Sequence, residues 1–130
     1  MPHFVVHEHH ATHLHWDFRL EVGGVLKSWA IPKGPSMNPS DKRLAILVED
    51  HPLEYGRFEG VIPEGMYGAG KVLIWDEGDY EAIDDIEEGI KKGSLSFRLF
   101  GKKLKGEFAM FQLKKNSTGK DWLIVKKKED

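Results

Sequence analysis

Residues 9–22 read His9-His10-Ala11-Thr12-His13-Leu14-His15-Trp16-Asp17-Phe18-Arg19-Leu20-Glu21-Val22, and the reading of this stretch decides the fold. From His15 onward it alternates: His15, Asp17, Arg19 and Glu21 take odd positions, Trp16, Phe18, Leu20 and Val22 even ones. Successive side chains of a strand point to opposite faces, so the pattern is a strand with an apolar wall behind and a charged row in front. Half-solvated strands alternate in the same way. Histidine density separates the two readings, because a solvent face more naturally uses Lys, Glu and Thr. Four of the seven histidines fall between His9 and His15, and His3 and His7 lie just upstream. A histidine and a carboxylate two residues apart on one face can reach one ion, and an arginine two further on can hold an anion bound to it. His10 and His13 read as ordinary loop or surface residues.

Working outward, Phe4-Val5-Val6 opens a strand that delivers His7 and His9 on one parity. Gly23-Gly24 after Val22 is a two-residue hairpin signal, with Val25–Ile31 as the return strand. Pro32-Lys33-Gly34-Pro35-Ser36 breaks that strand, and a polar loop runs to Asp41. Arg43–Glu49 is the most apolar strand, with His51 and Tyr55 just beyond it. Arg43, Glu49 and His51 share one parity, so one edge gathers all three if the alternation persists; taken alone, Arg43 and Glu49 read rather as flanking surface charges and His51 as a turn residue. Phe58–Pro63 is a connector with a strand-like centre. Gly65-Met66-Tyr67-Gly68-Ala69-Gly70-Lys71 resembles a phosphate-cradling loop only superficially, since Val72-Leu73-Ile74-Trp75 continues as a strand where such a loop opens a helix. The glycines are expected at tight bends of a curved sheet.

Asp84–Lys92 is the one helix the pattern supports: Ile83, Ile86 and Ile90 have helical spacing, acids crowd its start, lysines its end, and Gly93 stands at the C-cap position. Strands follow at Ser94–Phe100, Glu107–Leu113 and Asp121–Lys126, with turns at Gly101-Lys102-Lys103 and Asn116-Ser117-Thr118-Gly119. Phe97, Phe108, Phe111 and Trp122 are expected in the core, and Lys126–Asp130 as a solvated tail. About eight short strands with Gly/Pro turns and one short helix give an all-β, mainly antiparallel fold, a small closed or nearly closed barrel.

At 130 residues the chain is read as a single domain spanning 1–130. There is no cysteine, which excludes disulfides, thiolate zinc sites and cysteine nucleophiles. The start Met1-Pro2-His3-Phe4 has no signal-peptide character, and no stretch approaches the ~20 apolar residues of a membrane span. A soluble, cytoplasmic, monomeric protein is expected. A net charge of −2 argues against a duplex-coating protein and leaves open an enzyme that uses a local positive pocket.

Two histidines and an aspartate suit Zn, Mn or Fe(II), not Ca. The remaining polar inventory, Arg19, Lys33, Arg43, His51 and Tyr55, is cationic or donating. Donors around an open metal suit an anionic transition state such as a phosphoryl group under attack.

Long blocks of the chain carry a resemblance: Leu14–Glu21, Ser28–Pro35, Val48–Tyr55, Phe58-Glu59-Gly60 with Ile62-Pro63-Glu64-Gly65, Tyr67–Gly70, and the late Leu104-Lys105-Gly106 and Trp122-Leu123-Ile124. The sequence resembles the 3′-phosphoesterase domain found in bacterial DNA ligase D, in its stand-alone form. The resemblance implies a small β-barrel that trims 3′ ends with a divalent metal, Mn²⁺ preferred and Zn²⁺ or Co²⁺ as alternatives. It implies removal of a terminal ribonucleoside and then hydrolysis of the remaining 3′-phosphate to a 3′-OH. It also implies DNA or RNA-terminated 3′ ends as substrates, and a separate ligase and polymerase of an end-joining system as partners. By position, His9, His15 and Asp17 are the implied metal ligands. Arg19, Arg43 and His51 lie on the phosphate, with Lys33 adding to that pocket. Tyr55 serves the phosphomonoesterase step, and Glu49 and Glu21 orient the cations. His7 stands where the family pattern leads one to expect Gln.

Two rival classes remain. His15, Asp17 and a later His51 imitate the two-His-one-carboxylate triad of non-haem Fe(II) oxygenases. A non-catalytic binder of nucleic-acid ends with structural histidines is the other.

Overall fold

The computed structural model describes residues 1–114 and 118–129. Among these residues nine strands form: β1 His3–His10, β2 Leu14–Val22, β3 Val25–Ile31, β4 Arg43–Pro52, β5 Gly60–Ile62, β6 Gly70–Ala82, β7 Ser94–Phe100, β8 Lys105–Gln112 and β9 Asp121–Lys126. Among the described residues a 3-10 turn, η1, spans Leu53–Arg57, and one helix, α1, spans Ile86–Lys92. Eight strands in the order β1-β2-β3-β4-β9-β8-β7-β6 close into an antiparallel barrel through β1–β6, and β5 pairs with the start of β6 outside that ring.

The expected hairpin is present. Gly23 and Gly24 both take positive φ, 57° and 85°, the backbone a two-residue turn between right-twisted strands demands. The apolar parity of β2 faces the barrel interior, where Phe18 stacks on Phe97 with centroids 5.6 Å apart and Trp29 meets Trp122 edge-on at 6.0 Å. Phe4, Val6, Leu20, Ile31, Leu99, Phe108 and Met110 complete the filling. Each such large side chain contributes about 1.5–3 kcal/mol by burial.

The barrel interior is therefore solid, and the charged row of β2 lies on its outer wall. The register places Arg19 beside Ser28 and Ser28 beside Val48, with Asp17 beside Ala30 and Ala30 beside Ile46, all on that outer face. Yet His7, Arg19 and Ser28 are almost fully buried. The cover comes from the far end of β4, η1 and the segment that follows it.

Several expectations need correction. Phe111 is 47% exposed, whereas Phe97, Phe108 and Trp122 are in the core. Ile83 is exposed and precedes α1, whose N-cap is Asp85, accepting from the Glu88 amide at 3.1 Å. Gly93 ends the helix in the left-handed conformation, as expected. Lys126 is buried rather than solvated: its Nζ donates to the Lys127 carbonyl and to Glu129, at 2.8 and 2.9 Å. β6 runs seven residues beyond Trp75, to Ala82. The expected turn residues Asn116 and Ser117, and Asp130 of the tail, lie outside the described residues. Among the described residues no helix is long and apolar enough to cross a membrane.

Candidate metal and phosphoester site

β1 and β2 pair so that His9 lies opposite His15, and His7 opposite Asp17. The His9 and His15 rings meet edge-on with centroids 4.8 Å apart. His9 Nδ1 lies 3.5 Å from Asp17 Oδ2, and His15 Nε2 lies 3.3 Å from Asp17 Oδ1. One ligand atom from each of His9, His15 and Asp17 falls within 4.8 Å of the others, a set able to hold a divalent ion.

Carbonyl partners fix both rings. His9 Nε2 donates to the Gly68 carbonyl at 2.8 Å, so Nδ1 keeps its lone pair toward Asp17. His15 Nδ1 donates to the His13 carbonyl at 3.0 Å, leaving Nε2 for the ion. Hydrogen-bonding the far nitrogen of a ligating imidazole sets its tautomer and orientation. His10 and His13 are exposed, as expected, although the backbone of His13 contributes. Gly68 has φ of 77°, which lets the backbone turn its carbonyl onto His9.

The electrostatics agree with an ion site. Burial alone raises a carboxylate's pKa, but the bond to His15 and the Arg19 charge outweigh it and hold Asp17 below its ordinary value. Asp17 in turn raises the pKa of His15 through their hydrogen bond. A proton on His15 and an ion compete for one lone pair.

Arg19 stands next in the row. Its Nε donates to His7 Nδ1 at 3.0 Å, NH1 to Ser28 Oγ at 2.8 Å, and NH2 faces Asp17 Oδ2 at 3.4 Å. NH1 also lies 3.1 Å from His51 Nδ1. Asp17 is the anionic partner of this group, while His7 and Ser28 hold Arg19 without adding further negative charge. Tyr55, delivered by η1, lies under this group: its ring centroid is 4.9 Å from Arg19 Cζ, 4.9 Å from the His51 ring and 5.3 Å from the His7 ring. Burial first and Arg19 second lower the pKa of His51, and burial raises that of Tyr55.

His9, His15, Asp17, Arg19, Glu49, His51 and Tyr55 line one hollow of about 300 Å³, together with Tyr67 and Gly68. Sequence parity did not bring Arg43 there. A bulge in β4, where Ser28 faces Val48 but Leu26 faces His51, turns Glu49 and His51 toward the site. Arg43 keeps the parity of buried Ala45. Its NH1 donates to the carbonyls of Lys33 and Gly34 at 2.8 and 3.0 Å, and its NH2 to Asp41 at 3.2 Å. Neither Arg43 nor exposed Lys33 lines the hollow. Glu21 accepts from the His3 amide instead, at 2.9 Å. His51 is not part of the ligand cluster and shares its Nδ1 with a guanidinium, so the oxygenase-type triad of His15, Asp17 and His51 does not form.

Sequence reasoning missed Ser28, Tyr67 and the Gly68 and Phe58 carbonyls. Ser28 alone left a signal, as the small polar residue between Leu26 and Ala30 on the outer parity of its strand. Tyr67 is 83% exposed, and its hydroxyl bonds to Glu49, which lowers the pKa of that carboxylate.

The family model described as "DNA Ligase D 3'-phosphoesterase domain" matches residues 7–112. The multifunctional non-homologous end joining protein LigD of Pseudomonas aeruginosa is 51% identical over 126 residues, 97% of this chain and 15% of the relative. The corresponding DNA repair protein of Mycobacterium tuberculosis is 48% identical over 120 residues, 92% of this chain and again 15% of the relative. The chain thus spans about one-seventh of the length of these relatives, at the level of one of their domains. With the family model covering most of its length and close identity over nearly all of it, the chain belongs to the DNA ligase D 3′-phosphoesterase domain family.

Proposed function

We propose that this protein heals 3′ ends for end joining. It removes a terminal ribonucleoside from a primer strand as a phosphodiesterase, then hydrolyses the 3′-phosphate as a phosphomonoesterase to leave a 3′-OH. Mn²⁺ is the preferred ion, with Zn²⁺ or Co²⁺ as substitutes. It works in the cytoplasm on ends that ligase and polymerase activities of an end-joining system then complete. The observation that carries this reading is the opening of the His9–His15–Asp17 cluster onto the same hollow as Arg19 and His51.

The donor set fits a divalent ion: two imidazoles with preset lone pairs and one ionised carboxylate, all on one side. His9 Nδ1, His15 Nε2 and Asp17 would hold it, and the ion supplies Lewis-acid polarisation of a phosphoryl oxygen when bound. The protein's own groups do the rest. Arg19 presents its NH2 edge to the phosphoryl oxygens while its other nitrogens stay anchored. His51 is neutral at pH 7. Its Nδ1 lies 3.1 Å from both Arg19 NH1 and the Glu49 carbonyl, and Nε2 is the ring nitrogen left to engage a phosphoryl or leaving oxygen. Tyr55 stays protonated and adds a donor to the terminal phosphate. Arg43 acts indirectly, holding the Lys33–Gly34 backbone against β4.

The test uses a 5′-labelled primer ending in one 3′ ribonucleotide, incubated with the protein and Mn²⁺. Stepwise shortening, first to the 3′-phosphate and then to the 3′-OH, is expected, and chelation should stop both steps. His15→Ala and Asp17→Ala should lose both activities, whereas Tyr55→Ala should spare ribonucleoside removal more than phosphate removal. End binding that survives chelation without product would make the protein a non-catalytic end binder.

A further inference from the structure

We infer that His7 is the positioning residue for Arg19, acting as a neutral imidazole with its proton on Nε2. The inference rests on the reading of Arg19 as a phosphoryl ligand. Its carrying observation is a hydrogen-bond chain with a single consistent solution. Arg19 Nε is an obligate donor and lies 3.0 Å from His7 Nδ1, so Nδ1 must hold a lone pair. The Phe58 carbonyl is an obligate acceptor and lies 3.1 Å from His7 Nε2, so Nε2 must carry the hydrogen. His7 is 0% exposed, and breaking either bond strands a buried polar group.

This arrangement determines where the guanidinium points. With Nε held by His7 and NH1 held by Ser28, two corners of a planar group are fixed and the NH2 corner is turned toward Asp17 and the hollow. The acceptor being neutral matters as much as its place. A carboxylate at His7 would orient Arg19 equally well but set a second anion beside Asp17 against the charge that phosphate binding needs. The His7 ring also meets Tyr55 edge-on, so one side chain braces both groups expected at the phosphate. Glutamine is the other side chain of suitable reach that offers one acceptor and one donor without charge. Leucine offers neither.

Two measurements test this. In the ion-free wild type, long-range ¹H–¹⁵N spectra should show the His7 ring protonated at Nε2 alone, and the Arg19 Nε–H signal should be slow to exchange with water. An Nδ1–H or doubly protonated His7 at neutral pH would overturn the assignment. In the Mn²⁺-loaded protein, His7→Leu should lower kcat about tenfold or more while Mn²⁺ affinity and the folded signal persist, and His7→Gln should restore kcat to within about threefold of wild type. Wild-type kcat in His7→Leu, or a His7→Gln variant as slow as His7→Leu, would refute the positioning role. If the wild type turns over no primer, the phosphoesterase reading fails separately, because the spectra report on Arg19 without any activity.

Discussion

His7 and His9 are two residues apart on one strand and carry their proton on the same nitrogen, yet do different work. Each gives Nε2 to a carbonyl, of Phe58 and Gly68 respectively, and each keeps Nδ1 free. For His9 that lone pair faces Asp17; for His7 it faces a guanidinium. Alternation in the sequence places both on the outer face but cannot say what each nitrogen meets, because the partners come from a connector more than fifty residues away. The His9–His15–Asp17 cluster was legible as a grouping because its residue types are diagnostic, whereas the contacts of His7 were not. A pH effect follows. Burial first, then Arg19, pushes the His7 pKa from 6.5 down to about 4. Protonation therefore favours the unfolded chain. The stabilisation is complete above pH 6.5 and is lost as pH falls toward 4, amounting to about 3 kcal/mol. Urea denaturation at pH 7 and pH 4.5 should show this loss in the wild type and a smaller one in His7→Gln. The His9–His15–Asp17 cluster makes a second prediction. An ion binding only the folded state at a hundredfold excess over its Kd adds about 2.7 kcal/mol, or roughly 10 °C in Tm. Mn²⁺ should raise the melting temperature of the wild type and leave that of Asp17→Asn unchanged.

The elements were read well where one period governs a whole strand, as in β2 and β3, and less well where a strand changes its surroundings midway. In β4 the alternation fails at a bulge, so a parity argument that grouped Arg43 with His51 put them together wrongly. In β6 the run Asp76-Glu77-Gly78-Asp79 has poor strand propensity, but tertiary partners override it. Asp76 caps three backbone amides, of Lys102, Lys103 and Leu104, at 2.8–3.1 Å. Gly70 begins this strand, beside the seam that closes the barrel. Its φ is 127°, and a Cβ there would lie 2.1 Å from the His10 carbonyl oxygen, which is backbone and cannot swing away. Gly70→Ala should therefore cost about 2–4 kcal/mol and loosen the β1–β6 seam that carries His9. Gly24→Ala meets nothing within 4 Å and should cost only the left-handed strain, about 1–2 kcal/mol. Chemical denaturation of the two variants checks the ordering, and equal losses would refute the clash.

For the molecule as a whole, the alternation in residues 14–22 revealed a two-sided strand but not which side lies inside the barrel. Both assignments satisfy period two. The volume of the apolar row decides between them, since Phe18, Trp29, Phe97 and Trp122 already fill the interior and leave no room for a polar groove. The consequence is a division of labour across the barrel. β1, β2, the end of β4 and the segment after it carry the site, while β7 and β8 contribute core and none of the residues lining the hollow. Stability and chemistry should then separate. Phe97→Leu removes part of a ring that stacks on Phe18 and Phe108, and should cost about 1–2 kcal/mol. Because Phe97 lies behind the wall that bears Asp17 and Arg19, kcat on a 3′-phosphate primer at 25 °C should stay within about twofold of wild type while the urea midpoint falls. A fall in kcat of tenfold or more with the fold still intact would mean that the outer row depends on the packing of the core behind it, and that the wall does not insulate the site.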